Sequence, residues 1–426
     1  MSRPEDGSIT HRGTLPSPDC PLRQVEPLSG DALAREDGAA TWERWRRTWG
    51  PVVPVALDGA DRAWLVLGYN EVLHVVSSPG LYACDRRGAA HGRDRPVFGG
   101  CGPNALRTDG QEHARLRAAI TGALQQVTGF RLREDAGRAA NELVDEFAAL
   151  GSADLVADFA RRLPLRVVAR LLGAPEESAL RLAQLVVELG GPASAEAREE
   201  LGQRLVDLAA ARRAEPGADI TSWLVQHASE LDDEEAAQQL LLVLTAAHEP
   251  TANLVGNVLR ALLTDRAGGA RVQEAVDQVL WEDPPLRALP HRVATRELRL
   301  GDASVAAGDL LVLGLAAANA DPALGAGDGE FSNRAHLTWG AGPHRCPARE
   351  LARSIAASGV TALVDRLPSM RLAVGRDQLR WRPSPFSRGV EALPVRFEPE
   401  RSPEGPGDSE ARRPAGWNPL GWLRGR

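Results

Sequence analysis

A run from Asp233 to about Asp265 keeps helical spacing of its apolar residues and follows Asp232-x-x-Glu235, the pattern of a capping box. At 1.5 Å per residue it spans roughly 50 Å, enough to cross the whole molecule. Nothing else in the chain constrains the fold as much, because every other element must pack around such a rod. Pro250 sits inside it. Proline has no N–H and collides with the carbonyl four residues back, so the Ala246 C=O should be freed and the helix bent there.

Helical periodicity also dominates 111–125, 133–150, 155–172, 176–189, 195–213 and Ala270–Trp281, the last ended by Asp283-Pro284-Pro285. Val52–Leu57 and Ala63–Leu67 read as strands, joined across the turn signal Asp58-Gly59-Ala60-Asp61 as a hairpin. Short strands are expected at Leu298–Leu300, Val305 and Leu310–Leu313. The predicted class is mainly α with small β-sheets. Residues 1–30 and 401–426 are rich in Pro, Ser, Gly and charge and are expected to be disordered. Residues 31–400 are left as one domain.

The net charge of −7 argues against a nucleic-acid-binding surface. All 50 basic side chains are arginine, a bias that suggests an actinobacterial, GC-rich source. Four scattered cysteines, Cys20, Cys84, Cys101 and Cys346, make no disulfide framework, so a reducing cytoplasm is expected. No apolar window is long enough for a membrane span.

Residues 339–353, Trp339-Gly-Ala-Gly-Pro-His-Arg-Cys346-Pro-Ala-Arg-Glu-Leu-Ala-Arg353, form a glycine-bent loop that presents one cysteine and runs into a helix. Gly340 and Gly342 permit positive φ and close approach of a flat ligand. The unpaired N–H groups of the helix start should favour the thiolate, the form that ligates metal. A lone cysteine is otherwise an inert small hydrophobe. A zinc site is disfavoured because no C-x-x-C or second His/Cys pair completes four ligands.

This loop resembles the haem-binding loop of the cytochrome P450 family, whose cysteine thiolate is the axial ligand of haem iron. Gln111-Glu-His113-Ala-Arg115-Leu-Arg117, Ala246-Ala-His-Glu249, Asp283-Pro-Pro with Arg292, and Ala318-Asn319-Ala-Asp321-Pro follow in family order over about residues 40–400. The resemblance implies the family fold, a haem b held through Cys346, and a long helix crossing its face. It implies that His113, Arg117, Arg292 and His344 contact the propionates. Trp339, where the family usually has Phe, would pack over the thiolate beside Gly340, and Ala246 and Ala247 would face the macrocycle. It further implies a monooxygenase acting on an apolar small molecule, with electrons from NAD(P)H through a ferredoxin and its reductase. Arg345 and Arg349 are placed to attract an acidic ferredoxin.

Two departures stand out. The family's Glu-x-x-Arg pair is replaced by Gln278 and Trp281. Both charges are lost together, which is close to neutral where losing one costs roughly 3–5 kcal/mol. Neutral bonds from Gln278 and the Trp281 indole to the downstream loop are expected instead, and a subset of actinobacterial members resembles this chain in lacking the pair. In the long helix, the family's acid–alcohol pair becomes Glu249-Pro250. Glu249 and Thr251, the latter rotated about 100° round the axis from Pro250, are the candidate catalytic residues. These departures leave two alternatives open: a haem protein that senses or partners signalling proteins without efficient oxygenation, and a peroxide-driven oxidase.

Overall fold

In the computed structural model the long helix runs from Asp233 to Leu263. The structure describes residues 25–30, 38–57, 62–84, 102–190, 194–264, 271–324 and 334–400. Nearly all of both terminal segments, the turn at 58–61 and most of the 80–105 stretch lie outside the described residues. The Asp232 carboxylate accepts from the Glu235 N–H at 2.7 Å, and the Glu235 carboxylate accepts from the Asp232 N–H at 3.3 Å. The capping box is therefore closed on both sides. The helix does not end at Pro250 but continues for more than three further turns, to Leu263.

Helices Leu163–Leu171, Ser194–Ala214, Val272–Glu282 and Arg349–Arg366 pack against this rod. Leu240, Leu244, Leu254, Val255, Val258 and Leu259 are fully buried along it. Burying each such side chain contributes roughly 1.5–3 kcal/mol. At one edge lies a six-stranded sheet in the order β1 (Glu26–Leu28), β2 (Val52–Leu57), β3 (Arg62–Val66), β9 (Leu310–Leu313), β6 (Leu289–Ala294), β4 (Tyr82–Ala83). The expected hairpin is its centre, with Val53 opposite Leu65 in an antiparallel pair. Strands Leu298–Leu300 and Ala303–Val305 pair with each other, close to their predicted positions.

The stretch 155–172 is not one helix. A π-helical turn, Leu155–Ala160, precedes Leu163–Leu171, whose second residue is Pro164. Without an N–H, Pro164 cannot continue a preceding helix but suits a first turn. The strands left unmarked by sequence, β1, β4, β6 and the small sheet formed by Ser152–Asp154, Arg371–Leu372 and Pro394–Arg396, are mostly two or three residues long. Runs that short carry no readable alternation.

Among the described residues, Gln278 and Trp281, which stand where the family has Glu-x-x-Arg, make these contacts. Gln278 donates to Glu282 on its own helix at 3.1 Å, and Trp281 lies edge-on to His336 with ring centroids 5.5 Å apart. Residues 325–333 of the downstream loop lie outside the described residues. A buried neutral network also ties this helix to the rest of the fold. The Leu280 carbonyl accepts from the Thr338 hydroxyl at 2.6 Å and from Asn319 Nδ2 at 3.3 Å, while Asn319 Oδ1 accepts from the Leu337 N–H at 2.7 Å. Asp277 adds an ion pair to Arg353 at 2.5 Å. The helix bearing neutral Gln278 and Trp281 is thus anchored to the cysteine loop by Asn319 and Thr338.

Burial also sets a pH limit on the fold. His248 and His336 are buried, and burial, first among the causes, holds each pKa down to about 4, against 6.5 for an ordinary imidazole. Between these values the unfolded chain binds protons that the folded chain does not. The stability these residues contribute is complete above about pH 6.5 and is lost as pH falls towards 4. The urea midpoint should fall steadily from pH 7 to 4.5; a midpoint constant over that range contradicts this.

Candidate functional site

The cysteine loop is built from its glycines. Gly340 sits at φ 65° and Gly342 at φ 66°. The Gly340 N–H donates to the Leu337 carbonyl at 2.7 Å, and the Cys346 N–H donates to the Trp339 carbonyl at 2.8 Å, closing the loop. A Cβ on Gly342 would stand 2.2 Å from the Val76 carbonyl oxygen. Strain at positive φ alone costs roughly 1–2 kcal/mol, before that clash. Gly342→Ala is therefore expected to lower stability by at least about 2 kcal/mol in urea titration; a change under about 0.5 kcal/mol contradicts the geometry.

Cys346 faces an apolar cavity that encloses about 1280 Å³ of atom-free space, part of it open to solvent. The long helix forms one wall through Leu242, Val243, Ala246, Ala247, Pro250 and Thr251. Trp339, Gly340 and the start of the Arg349–Arg366 helix form the other. That helix begins three residues beyond Cys346 and has no side-chain cap. The expected depression of the thiol pKa does not appear. Burial pushes the Cys346 thiol up, outweighing the Ala348 backbone N–H and the cations Arg117, Arg345 and Arg349, which pull it down. In so dry a place the thiolate forms when a cation displaces the proton.

His113, Arg117, Arg292 and His344 come together at one rim of this cavity. The imidazoles of His113 and His344 stack with centroids 4.0 Å apart. His113 Nε2 and His344 Nδ1 are buried and have no hydrogen-bond partner. His344 Nε2 lies 3.3 Å from Asp109 Oδ1, and the other oxygen of that carboxylate accepts from the Cys84 N–H at 2.7 Å. Cys84, remote in sequence, thus helps orient His344; its sulfur, Asp109 and His344 approach within 4.8 Å. Asp109 was missed by sequence, although its place just before the helix Gly110–Gln125 was a signal. Burial, then His344 and Arg117, lower the His113 pKa to about 4, and Arg292 adds to that field from strand β6. The Arg117 guanidinium donates to the Arg345 carbonyl.

Two buried polar atoms without partners, with two arginines beside them, mark where an anionic group belongs. An apolar cavity lined by a thiol, with that cationic rim, fits a haem with its propionates. Arg117, His344 and Cys346 line the slot itself, with His113 and Arg292 behind the rim.

The long helix separates the two candidate catalytic residues. Thr251 is 3% exposed and lines the Cys346 cavity beside Pro250. Unlike Thr245, whose hydroxyl donates back to the Leu241 carbonyl at 2.7 Å, Thr251 forms no such back-bond among the described residues. Glu249 is not part of this cavity. Its carboxylate accepts from the Ser387 hydroxyl at 3.0 Å and lies 3.4 Å from Arg382 on another face of the helix. The spacing explains it: Ala246, Ala247 and Pro250 share one face, and Glu249 is rotated about 100° from Pro250 and about 160° from Ala247, away from that face.

No family model matches the chain. It is 31% identical over 369 residues to Cytochrome P450 107B1 of Saccharopolyspora erythraea, covering 80% of this chain and 90% of that protein. It is also 31% identical over 409 residues to Cytochrome P450 monooxygenase PikC of Streptomyces venezuelae, covering 91% and 97%. Among solved structures, CYP154C4 from Streptomyces sp. W2061 superposes with a TM-score of 0.74 at 27% identity, over 87% of this chain and 97% of that one.

Proposed function

This chain belongs to the cytochrome P450 family, and on that premise we propose that it inserts one oxygen atom from O2 into an apolar small molecule, with electrons from a ferredoxin and its NAD(P)H-dependent reductase. The observation that carries this reading is Cys346 at the floor of an apolar slot whose rim holds two buried, unpartnered imidazole nitrogens.

Haem, when bound, supplies the dioxygen chemistry. This chain's residues do the rest. Cys346 supplies the sulfur ligand, and His113, Arg117, Arg292 and His344 hold the propionates. Leu242, Val243 and Ala246 exclude water and favour an apolar substrate. Protons are handled at the hydroxyl of Thr251, a residue that lines the cavity, together with the Ala246 carbonyl that Pro250 leaves without its usual helical donor. Arg345 and Arg349 lie on the Cys346 side of the molecule, where they attract an acidic electron donor.

A second reading is favoured by one specific observation, the placement of Glu249 away from the cavity. Hydrogen peroxide brings its own oxygen, electrons and protons, so a peroxide-driven oxidase needs no acid there. Steady-state turnover of a small-molecule panel separates the two. Thr251→Ala should lower ferredoxin-driven product at least tenfold and leave peroxide-driven product within threefold. Equal losses on both routes, or none, overturn the role given to Thr251. Product from peroxide alone in the wild type selects the second reading.

A further inference from the structure

The long helix carries a second cavity on the face opposite the Cys346 slot. Thr245, His248, Glu249, Ala252, Asn253 and Gly256 line it, and none of these lines the first. It encloses about 1220 Å³ of atom-free space, part of it open to solvent. The two cavities share a helix and no lining residue.

Its chemistry is bipolar. Arg161, Arg198 and Arg382 bring three guanidinium groups to it, and Glu249 is the one acidic residue among the described lining residues. Arg382 is shared with Glu249 at 3.4 Å and with Asn253 Oδ1 at 2.7 Å. Arg161 and Arg198 have no ion pair among the described residues. The charges act on the interior: after burial, the Arg161 guanidinium helps hold the proton off His248, Glu249 and the Arg161 backbone oppose it, and Arg382 adds to the lowering. Two buried polar atoms on this face have no partner. They are His248 Nε2 and Asn253 Nδ2, in residues only 9% and 5% exposed. The remaining wall is apolar, formed by Val156, Val186, Leu189 and Val390, with Val187, half exposed, completing it.

A cavity with surplus positive charge, unsatisfied buried polar atoms and an aliphatic wall is shaped for one kind of guest. We propose that it binds an aliphatic carboxylate, with the carboxylate between Arg161, Arg198 and Arg382 and the chain against the valines and Leu189. An oxygen of the guest accepts from Asn253 Nδ2, which no protein group now satisfies. The guest competes with Glu249 for Arg382, so its binding loosens a carboxylate one residue away from Pro250. This site stands on residues separate from the oxygenation chemistry and does not depend on that reading.

The test is calorimetric titration of the holoprotein with decanoate, with decanol as the uncharged control. Arg161→Ala/Arg198→Ala is the test variant, and Arg161→Lys/Arg198→Lys keeps the charge. Both variants should keep the wild-type carbon monoxide spectrum, since neither residue touches the Cys346 slot. The proposal expects decanoate to bind the wild type, decanol to bind at least tenfold more weakly, and the alanine variant to lose at least tenfold. The lysine variant should stay within threefold. Absence of binding heat with the wild type, decanol as tight as decanoate, or a loss under tenfold in the alanine variant overturns it.

Discussion

Cys346→Ala should abolish the red-shifted Soret band of the reduced, carbon monoxide-bound protein and bring product formation down to the no-enzyme background. The shift reports a thiolate ligand on the iron, and among the described residues no other cysteine lines the slot. The other described cysteine, Cys84, is buried beside Asp109 and His344. Replacing the thiol by hydrogen at this position leaves the backbone bond from the residue 346 N–H to the Trp339 carbonyl intact. The fold should therefore change by only about 1 kcal/mol, the scale of one small buried group. A red-shifted band that survives the substitution means that another residue ligates the iron.

Asp283→Ala should lower stability by roughly 3–5 kcal/mol, the cost of leaving buried cations uncompensated. Asp283 ends the helix Val272–Glu282, and its side chain is 10% exposed. One oxygen pairs with Arg260 of the long helix at 2.5 Å, the other with Arg388 at 3.3 Å. Both guanidinium groups also cover the Trp381 ring, at 4.5 and 3.6 Å from its centroid. Arg287, 4% exposed, has its pKa lowered to about 9 by burial and then by Arg388, with Asp283 opposing. Among the described residues, this carboxylate therefore acts on guanidiniums from three segments of chain. The urea midpoint of Asp283→Ala checks this, and in a double-mutant cycle Arg388→Ala should recover part of the loss. A loss below 1 kcal/mol, with no coupling to Arg388, contradicts the account.

The elements that sequence made legible were those with long periodicity or strong punctuation. The Asp232–Glu235 box marked where the long helix begins, and Asp283-Pro-Pro marked where its successor ends. The glycines around Cys346 were readable because each answers a backbone need, positive φ at Gly340 and the Val76 carbonyl at Gly342. The strands β1 and β4 were not, because pairing partners far along the chain define them. The site divided in the same way. His113 and His344 could be placed through motif spacing, but their stacking, and the carboxylate of Asp109 behind it, depend on two segments meeting in space. The thiol of Cys346 was misjudged in sign because helix-start polarity is local, whereas burial is a property of the whole fold. The separation of Glu249 from Thr251 turned on two residues of helical rotation, a detail that resemblance to a family motif obscures.

The central claim concerns one bond, between the sulfur of Cys346 and the iron of haem. X-ray absorption at the iron edge of the purified holoprotein tests it without relying on activity, substrate or redox partner. The account predicts a sulfur scatterer at bonding distance from iron in the wild type and its loss in Cys346→Ala. An iron surrounded by nitrogen and oxygen alone in the wild type would contradict it.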